Sequence, residues 1–145
     1  MDRALLRLLR TRGHTASLDQ TARLLARVGE NGAIWLALSL ATRNRRAFRV
    51  VVAALIANTA VKQVVRRPRP DLGAELPPLA STLSSLSYPS AHAATSFAAA
   101  GALGASAPLY AAAGAMALTR PYLGVHYPSD VVAGALLGVA VERLA

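Results

Sequence analysis

Residues 47–70 read AFRVVVAALIANTAVKQVVRRPRP. The part from Ala47 to Val65 is close to the roughly 20 apolar residues that a helix needs to cross a hydrocarbon core of about 30 Å. It runs into Arg66-Arg67-Pro68-Arg69-Pro70, where prolines lack an N–H and end a helix. Lys62 interrupts the apolar run. A charge inside a membrane is costly and as a rule functional, although a lysine also snorkels toward the head groups. Lys62, Arg66 and Arg69 follow at spacings of four and three, which predicts one cationic helical face where the helix leaves the bilayer.

Working outward, the remaining segments repeat this character. Ala33 to Thr42 is apolar but short, and Arg43-Asn44-Arg45-Arg46 is a basic turn. Asp71 to Tyr88 is a Pro/Ser-rich loop. Ala91 to Ala107 predicts a small-residue helix, Pro108 a reversal, Leu109 to Thr119 a return, and Val131 to Val141 a last helix. Gly134 and Gly138 stand four apart, a spacing that permits close helix contact in a membrane; an Ala/Gly-rich composition produces the same spacing without that role. No apolar run alternates with the period of two that marks a strand. The expected fold is all-α: an integral membrane helical bundle of about five segments. A soluble helical bundle competes, because several segments fall short of 20 residues.

Residues 1–30 read as a separate interfacial region, preceding a membrane-embedded domain over 31–145. Arg3, Arg7 and Arg10 share a helical face, with Leu5, Leu6, Leu8 and Leu9 over much of the rest, as in an interfacial amphipathic helix. Ser17 and Gln20 resemble a capping box for a second helix, which Gly29-Glu30-Asn31-Gly32 interrupts. His14 is expected to face water or the interface.

The 145 residues suffice for one domain. They are 54% hydrophobic and 16% charged, against roughly 25% charged in a soluble domain. The net charge of +9 raises the question of nucleic acid. The apolar content and scarce aromatics argue for phospholipid head groups or an anionic substrate instead. With no cysteine, disulfides and thiolate chemistry are excluded.

Three clusters carry chemistry: Lys62 through Arg69-Pro70, Pro89-Ser90-Ala91-His92, and Thr119-Arg120 followed by His126 and Asp130. They combine cations for a phosphate, two histidines for proton transfer or attack, and a carboxylate. Ser90 reads as an N-cap, and the free N–H groups of a helix start also attract phosphate. Asp130 stands four residues after His126, so in a helical turn it faces the imidazole and fixes its tautomer. His126, Asp130 and His92 also read as a metal site. Lys62, Arg69 and Arg120 oppose that reading, because cations repel a divalent metal and neutralise a phosphate.

Together these clusters resemble the signature of the type 2 phosphatidic acid phosphatase superfamily. The first, Lys, six residues, then Arg-Pro, is matched by Lys62 and Arg69-Pro70. The second, Pro-Ser-Gly-His, appears as Pro89-Ser90-Ala91-His92, and the third, Ser-Arg, five residues, His, three residues, Asp, as Thr119-Arg120, His126 and Asp130. The resemblance covers about Ala47 to Val141 and implies metal-independent, cofactor-free hydrolysis of a membrane lipid phosphate. It implies that His126 is the nucleophile and forms a phosphohistidine, that Asp130 orients it, and that His92 is the acid and base. Lys62, Arg69, Ser90 and Arg120 would hold the phosphate, with Arg66, Ala91 and Thr119 as accessory positions. Two residues depart from the pattern. Ala91 replaces a glycine, which would cost energy if that backbone needed positive φ, and Thr119 replaces a serine.

The resemblance and an Arg/Ala-rich composition point to a polyprenyl-linked substrate in a bacterial cytoplasmic membrane, of the undecaprenyl diphosphate or decaprenylphosphoryl-5-phosphoribose type. Phosphatidylglycerophosphate, phosphatidic acid and a catalytically silent scaffold are the alternatives. Nucleic acid is not an expected partner. Arg43, Arg45, Arg46 and Arg49 lie opposite the site and favour an extracytoplasmic site under the positive-inside rule, whereas the N-terminal arginines favour the reverse.

Overall fold

The computed structural model describes residues 1–145. Seven helices follow one another: α1 Asp2–Thr11, α2 Ala16–Val28, α3 Ala33–Ala41, α4 Arg45–Val65, α5 Ala91–Ala102, α6 Ala107–Tyr122 and α7 Pro128–Leu144. A 3₁₀ turn at Glu30–Gly32 links α2 to α3, with Asn31 and Gly32 at φ of 49° and 73°.

Local chemistry sets most boundaries. Thr15, not Ser17, caps α2, its hydroxyl accepting from the Leu18 N–H at 3.2 Å. Asn44 caps α4 through Ala47 N–H at 2.9 Å. At its other end α4 stops at Val65 because Arg66 turns left-handed, with φ of 52°. Lys62, Arg66 and Arg69 therefore do not form one helical face: the chain changes direction between them, and Arg66 stays exposed. The expected reversal at Pro108 lies earlier, at residues 103–106, where Gly104 and Ala105 have positive φ. Pro108 sits in the first turn of α6, where its missing N–H costs nothing.

The core centres on α5, which packs against α4, α6 and α7 and has nine of its 12 residues buried. Ala47, Val50 and Ala54 of α4 meet Ala98 and Ala102. Trp35 of α3 donates to Ser96 Oγ at 2.7 Å inside the bundle. Gly134 and Gly138 lie directly on the Ser90 and Ala94 carbonyls of α5, so their spacing is a packing requirement. Far from the putting-together of the clusters, Arg46 pairs with Glu142 at 2.9 Å and ties α4 to the end of α7.

The fold is all-helical as expected, but only α4, with 21 residues and an 18-residue stretch of mean hydropathy 1.5, is long and apolar enough to cross a membrane alone. The expected five such segments reduce to one by this measure. α5, α6 and α7 have 12, 16 and 17 residues. At about 1.5 Å per residue these fall short of a hydrocarbon core of about 30 Å. Large apolar side chains nevertheless project outward from α3, α4, α6 and α7, among them Leu40, Ile56, Leu118, Val132 and Leu136.

The N-terminal region docks onto this bundle. Leu6 is fully buried, and two residues of the arginine face point to protein, not lipid: Arg3 donates to the Asp71 carbonyl and Arg10 to the Pro77 carbonyl, both at 2.7 Å. The expectation for His14 also changes. It stacks on Tyr122 with ring centroids 4.1 Å apart, and its Nδ1 lies 2.8 Å from Asp19. Aromatic packing and a carboxylate outcompete water there.

Candidate active site

The three clusters meet at one end of the bundle, because α4 and α6 end where α5 and α7 begin. Lys62 is half-buried in the last turn of α4, its Nζ 3.5 Å from the Leu86 carbonyl. Arg69, from the loop that follows, donates to the carbonyls of Ser84 at 2.6 Å and Val125 at 2.8 Å. Arg120 closes α6 and is 3% exposed, with its Nε unpartnered. Arg69 and Arg120 both act electrostatically on Lys62, and both act on His92 together with His126.

Ser90 caps α5 weakly, Oγ to Ala93 N–H at 3.5 Å, while its own N–H donates to the Asp130 carbonyl at 2.9 Å. That bond joins the second cluster to the third. Ala91 opens α5 and is not among the residues with positive φ, so the backbone strain anticipated for alanine there does not arise. His92 is buried, and its Nε2 donates to the Ala26 carbonyl of α2 at 2.8 Å. Thr119 spends its hydroxyl on the Met116 carbonyl at 2.7 Å, inside its own helix. Serine or threonine serves equally for that bond, so the departure at Thr119 leaves it intact.

His126 is buried just before α7, its Nε2 accepting from Arg69 at 3.1 Å. Its Nδ1 faces Asp130 Oδ2 at 3.5 Å, the four-residue geometry expected, though too long for a closed hydrogen bond. The same oxygen accepts the Tyr127 N–H at 2.8 Å as part of the α7 cap. Burial drives the His126 imidazole down to about 4; Asp130 opposes that shift, and Arg69 and Arg120 add to it. The neutral form therefore persists far below the ordinary value of about 6.5. Nitrogen NMR of the free protein is expected to show His126 titrating near 4, and a midpoint near 6.5 would contradict the burial argument.

Two participants escaped the sequence analysis. Arg67, given no role there, donates to Asp130 Oδ1 and to Asp2 Oδ2, each at 2.8 Å, and lies 3.9 Å over the Tyr127 ring. Asp2 also accepts from the Ser129 N–H at 3.1 Å, and from its hydroxyl. Burial lowers the Arg67 pKa, but the two carboxylates outweigh it and raise the value overall. Nothing in sequence distinguishes Arg67 from Arg66, and Asp2 lies 127 positions from Ser129. Arg67→Ala leaves Asp130 buried with one oxygen unpaired and is expected to lower kcat by roughly 10–100-fold, the usual effect of losing a residue that orients another. Lysine cannot bridge two carboxylates in this way, so Arg67→Lys is expected to rescue little in the same steady-state assay.

No three His, Asp or Glu residues form a metal-holding group. What the arrangement offers is an imidazole lone pair surrounded by fixed cations, suited to stabilising the equatorial oxygens of a phosphoryl group in transfer.

The sequence profile of the PAP2 superfamily matches residues 32–145. The chain is 42% identical over 136 residues to decaprenylphosphoryl-5-phosphoribose phosphatase of Mycobacterium tuberculosis, covering 86% of this chain and 76% of that protein. It is 41% identical over 128 residues to the Mycolicibacterium smegmatis protein of the same description, covering 78% and 69%. Among solved structures, Aquifex aeolicus LpxE superposes with a TM-score of 0.79 at 24% identity, over 99% of this chain and 93% of that one. The PAP2 type phosphatidylglycerolphosphate phosphatase of Bacillus subtilis gives 0.71 at 22%, over 99% and 81%. Both structural likenesses establish the fold.

Proposed function

The chain belongs to the PAP2 superfamily, and from that premise we propose that it hydrolyses the phosphate monoester of a polyprenyl-linked lipid of the decaprenylphosphoryl-5-phosphoribose type, without a metal and through a phosphohistidine. The curated relatives, at 42% identity over 136 residues, carry the choice of substrate. The placement of His126 Nε2 beside Arg69, with Asp130 behind Nδ1, supports the chemistry.

Nε2 of His126 attacks phosphorus as the bond to the sugar oxygen breaks. For this, Arg69 exchanges its contact with Nε2 for one with a phosphoryl oxygen, since one lone pair cannot serve both. Lys62, Arg120, the Ser90 hydroxyl and the N–H groups of the first turn of α5 take the remaining oxygens. Asp130 stabilises the imidazolium that forms. His92 leaves the Ala26 carbonyl and, as the imidazolium formed when it takes a proton on substrate binding, protonates the departing alkoxide; the neutral imidazole that results then takes a proton from the water that cleaves the P–N bond. Release of phosphate in EDTA, offered as this lipid, prenyl mono- and diphosphate, phosphatidic acid and phosphatidylglycerophosphate, tests the reading. The expected result is fastest turnover of the phosphoribosyl lipid. Turnover that EDTA abolishes, or preference for a glycerolipid, would displace it.

The same reading embeds α3 to α7 in a bacterial cytoplasmic membrane and rests residues 1–30 at its surface. The site faces outward, since Arg43, Arg45 and Arg49 crowd the opposite end. The chain has no native cysteine, so single substitutions report sidedness. An impermeant thiol reagent applied to intact cells should label Glu75→Cys and spare Thr42→Cys; the reverse pattern would invert the topology.

A further inference from the structure

A cavity of about 230 Å³ opens between α2 and the loop at residues 79–81, with Arg120 in its wall. Arg23 and Arg27 of α2, Glu30 of the following turn and Ser81 line it. Arg23 and Arg27 stand four apart and share one face of α2, and Glu30 joins them from the turn that follows. Ala26, another lining residue, is the one whose carbonyl holds His92. The cavity thus adjoins the catalytic end, and Arg120, 3% exposed with its Nε unpartnered, belongs to both.

None of the PAP2 signature residues except Arg120 lies here, so scission of a phosphate does not by itself require this chemistry. Arg27 and Glu30 enter no ion pair, and Arg23 has only a 4.0 Å contact, with Asp19. Three arginines call for an anion. The Glu30 carboxylate acts electrostatically on Arg120 and Arg69, repels an anion, and accepts from a ligand that also brings hydroxyl donors. At 230 Å³ the space is below the roughly 300–1,000 Å³ of drug-sized ligand pockets, which fits a head group and not a lipid chain.

We propose that this cavity is a head-group subsite for a substrate carrying hydroxyls and a second phosphate beyond the scissile monoester. Arg23 and Arg27 take the second phosphate, Glu30 and Ser81 take sugar hydroxyls, and Arg120 stands between this subsite and the scissile group. The assignment rests on the function proposed above and narrows it: a simple prenyl monophosphate would leave the subsite unfilled.

Binding measured in detergent on His126→Ala protein tests it without turnover, using ribose 1,5-bisphosphate and ribose 5-phosphate as probes. The bisphosphate is expected to bind at least about tenfold more tightly, equivalent to about 1.4 kcal/mol. Adding Arg23→Ala/Arg27→Ala should erase most of that difference; both side chains are exposed, so the fold is little affected. Glu30→Ala should narrow the preference for ribose 5-phosphate over inorganic phosphate. Equal binding of the two ribose phosphates would overturn the subsite. So would a gap that survives the double substitution, or one that Arg7→Ala/Arg12→Ala, removing exposed arginines outside the cavity, narrows equally. Failure of the wild type to release phosphate from any lipid would instead count against the proposed function.

Discussion

His126→Ala is expected to lower phosphate release by on the order of 10⁴-fold or more, the scale of loss when a covalent nucleophile is removed. At about 1.36 kcal/mol per decade this is at least ~5.5 kcal/mol of transition-state stabilisation. The acid-labile phosphoenzyme trapped by rapid acid-free denaturation of the wild type should disappear with it. His92→Ala separates the two imidazoles. With an aryl phosphate, whose leaving group needs no proton, formation of the phosphohistidine should be largely spared. Its hydrolysis should slow, because water loses its base, and the phosphoenzyme should accumulate. Near wild-type release by His126→Ala, or accumulation in that variant and not in His92→Ala, would reverse the assignment. Burial already keeps His126 neutral near neutral pH, so the imidazole needs no deprotonation before attack.

The Gly134→Ala/Gly138→Ala variant is expected to lose both stability and activity. A Cβ at Gly138 would overlap the Ala94 carbonyl, and one at Gly134 the Ser90 carbonyl, at separations no real Cβ adopts. Overpacking of this kind costs roughly 1–3 kcal/mol per site. Backbone carbonyls cannot rotate away as a flexible side chain does, so α7 must move off α5. That motion strains the bond from Ser90 N–H to the Asp130 carbonyl and shifts the start of α7, where Asp130 is fully buried. Thermal unfolding in detergent, read with phosphate release, checks the outcome. Gly114→Ala is the matched control: nothing lies within 4 Å of a Cβ there, and alanine favours the helix. A double variant as stable as this control would show that the two helices do not need their close approach.

Sequence by itself determined the helical class, the approximate segments and the identity of the three clusters. Each of these is written in local pattern: apolar run length, prolines after Val65, and fixed spacings such as His126 to Asp130. The spacing also carried their juxtaposition by resemblance, though not the state of each group. Whether Gly134 and Gly138 matter was undecidable locally, because composition alone produces such pairs. Tertiary structure decided it by placing two carbonyls of α5 against them. The same holds for Arg66 and Arg67. They are adjacent and chemically identical in sequence, yet a left-handed residue at the end of α4 leaves one exposed and lets the other bridge Asp2 and Asp130. Arg23, Arg27 and Glu30 likewise come to line one cavity with Arg120 only through the way α2 folds over it. Contacts between residues distant in the chain depend on backbone path and on which partner satisfies each buried charge, and neither is encoded in any single segment.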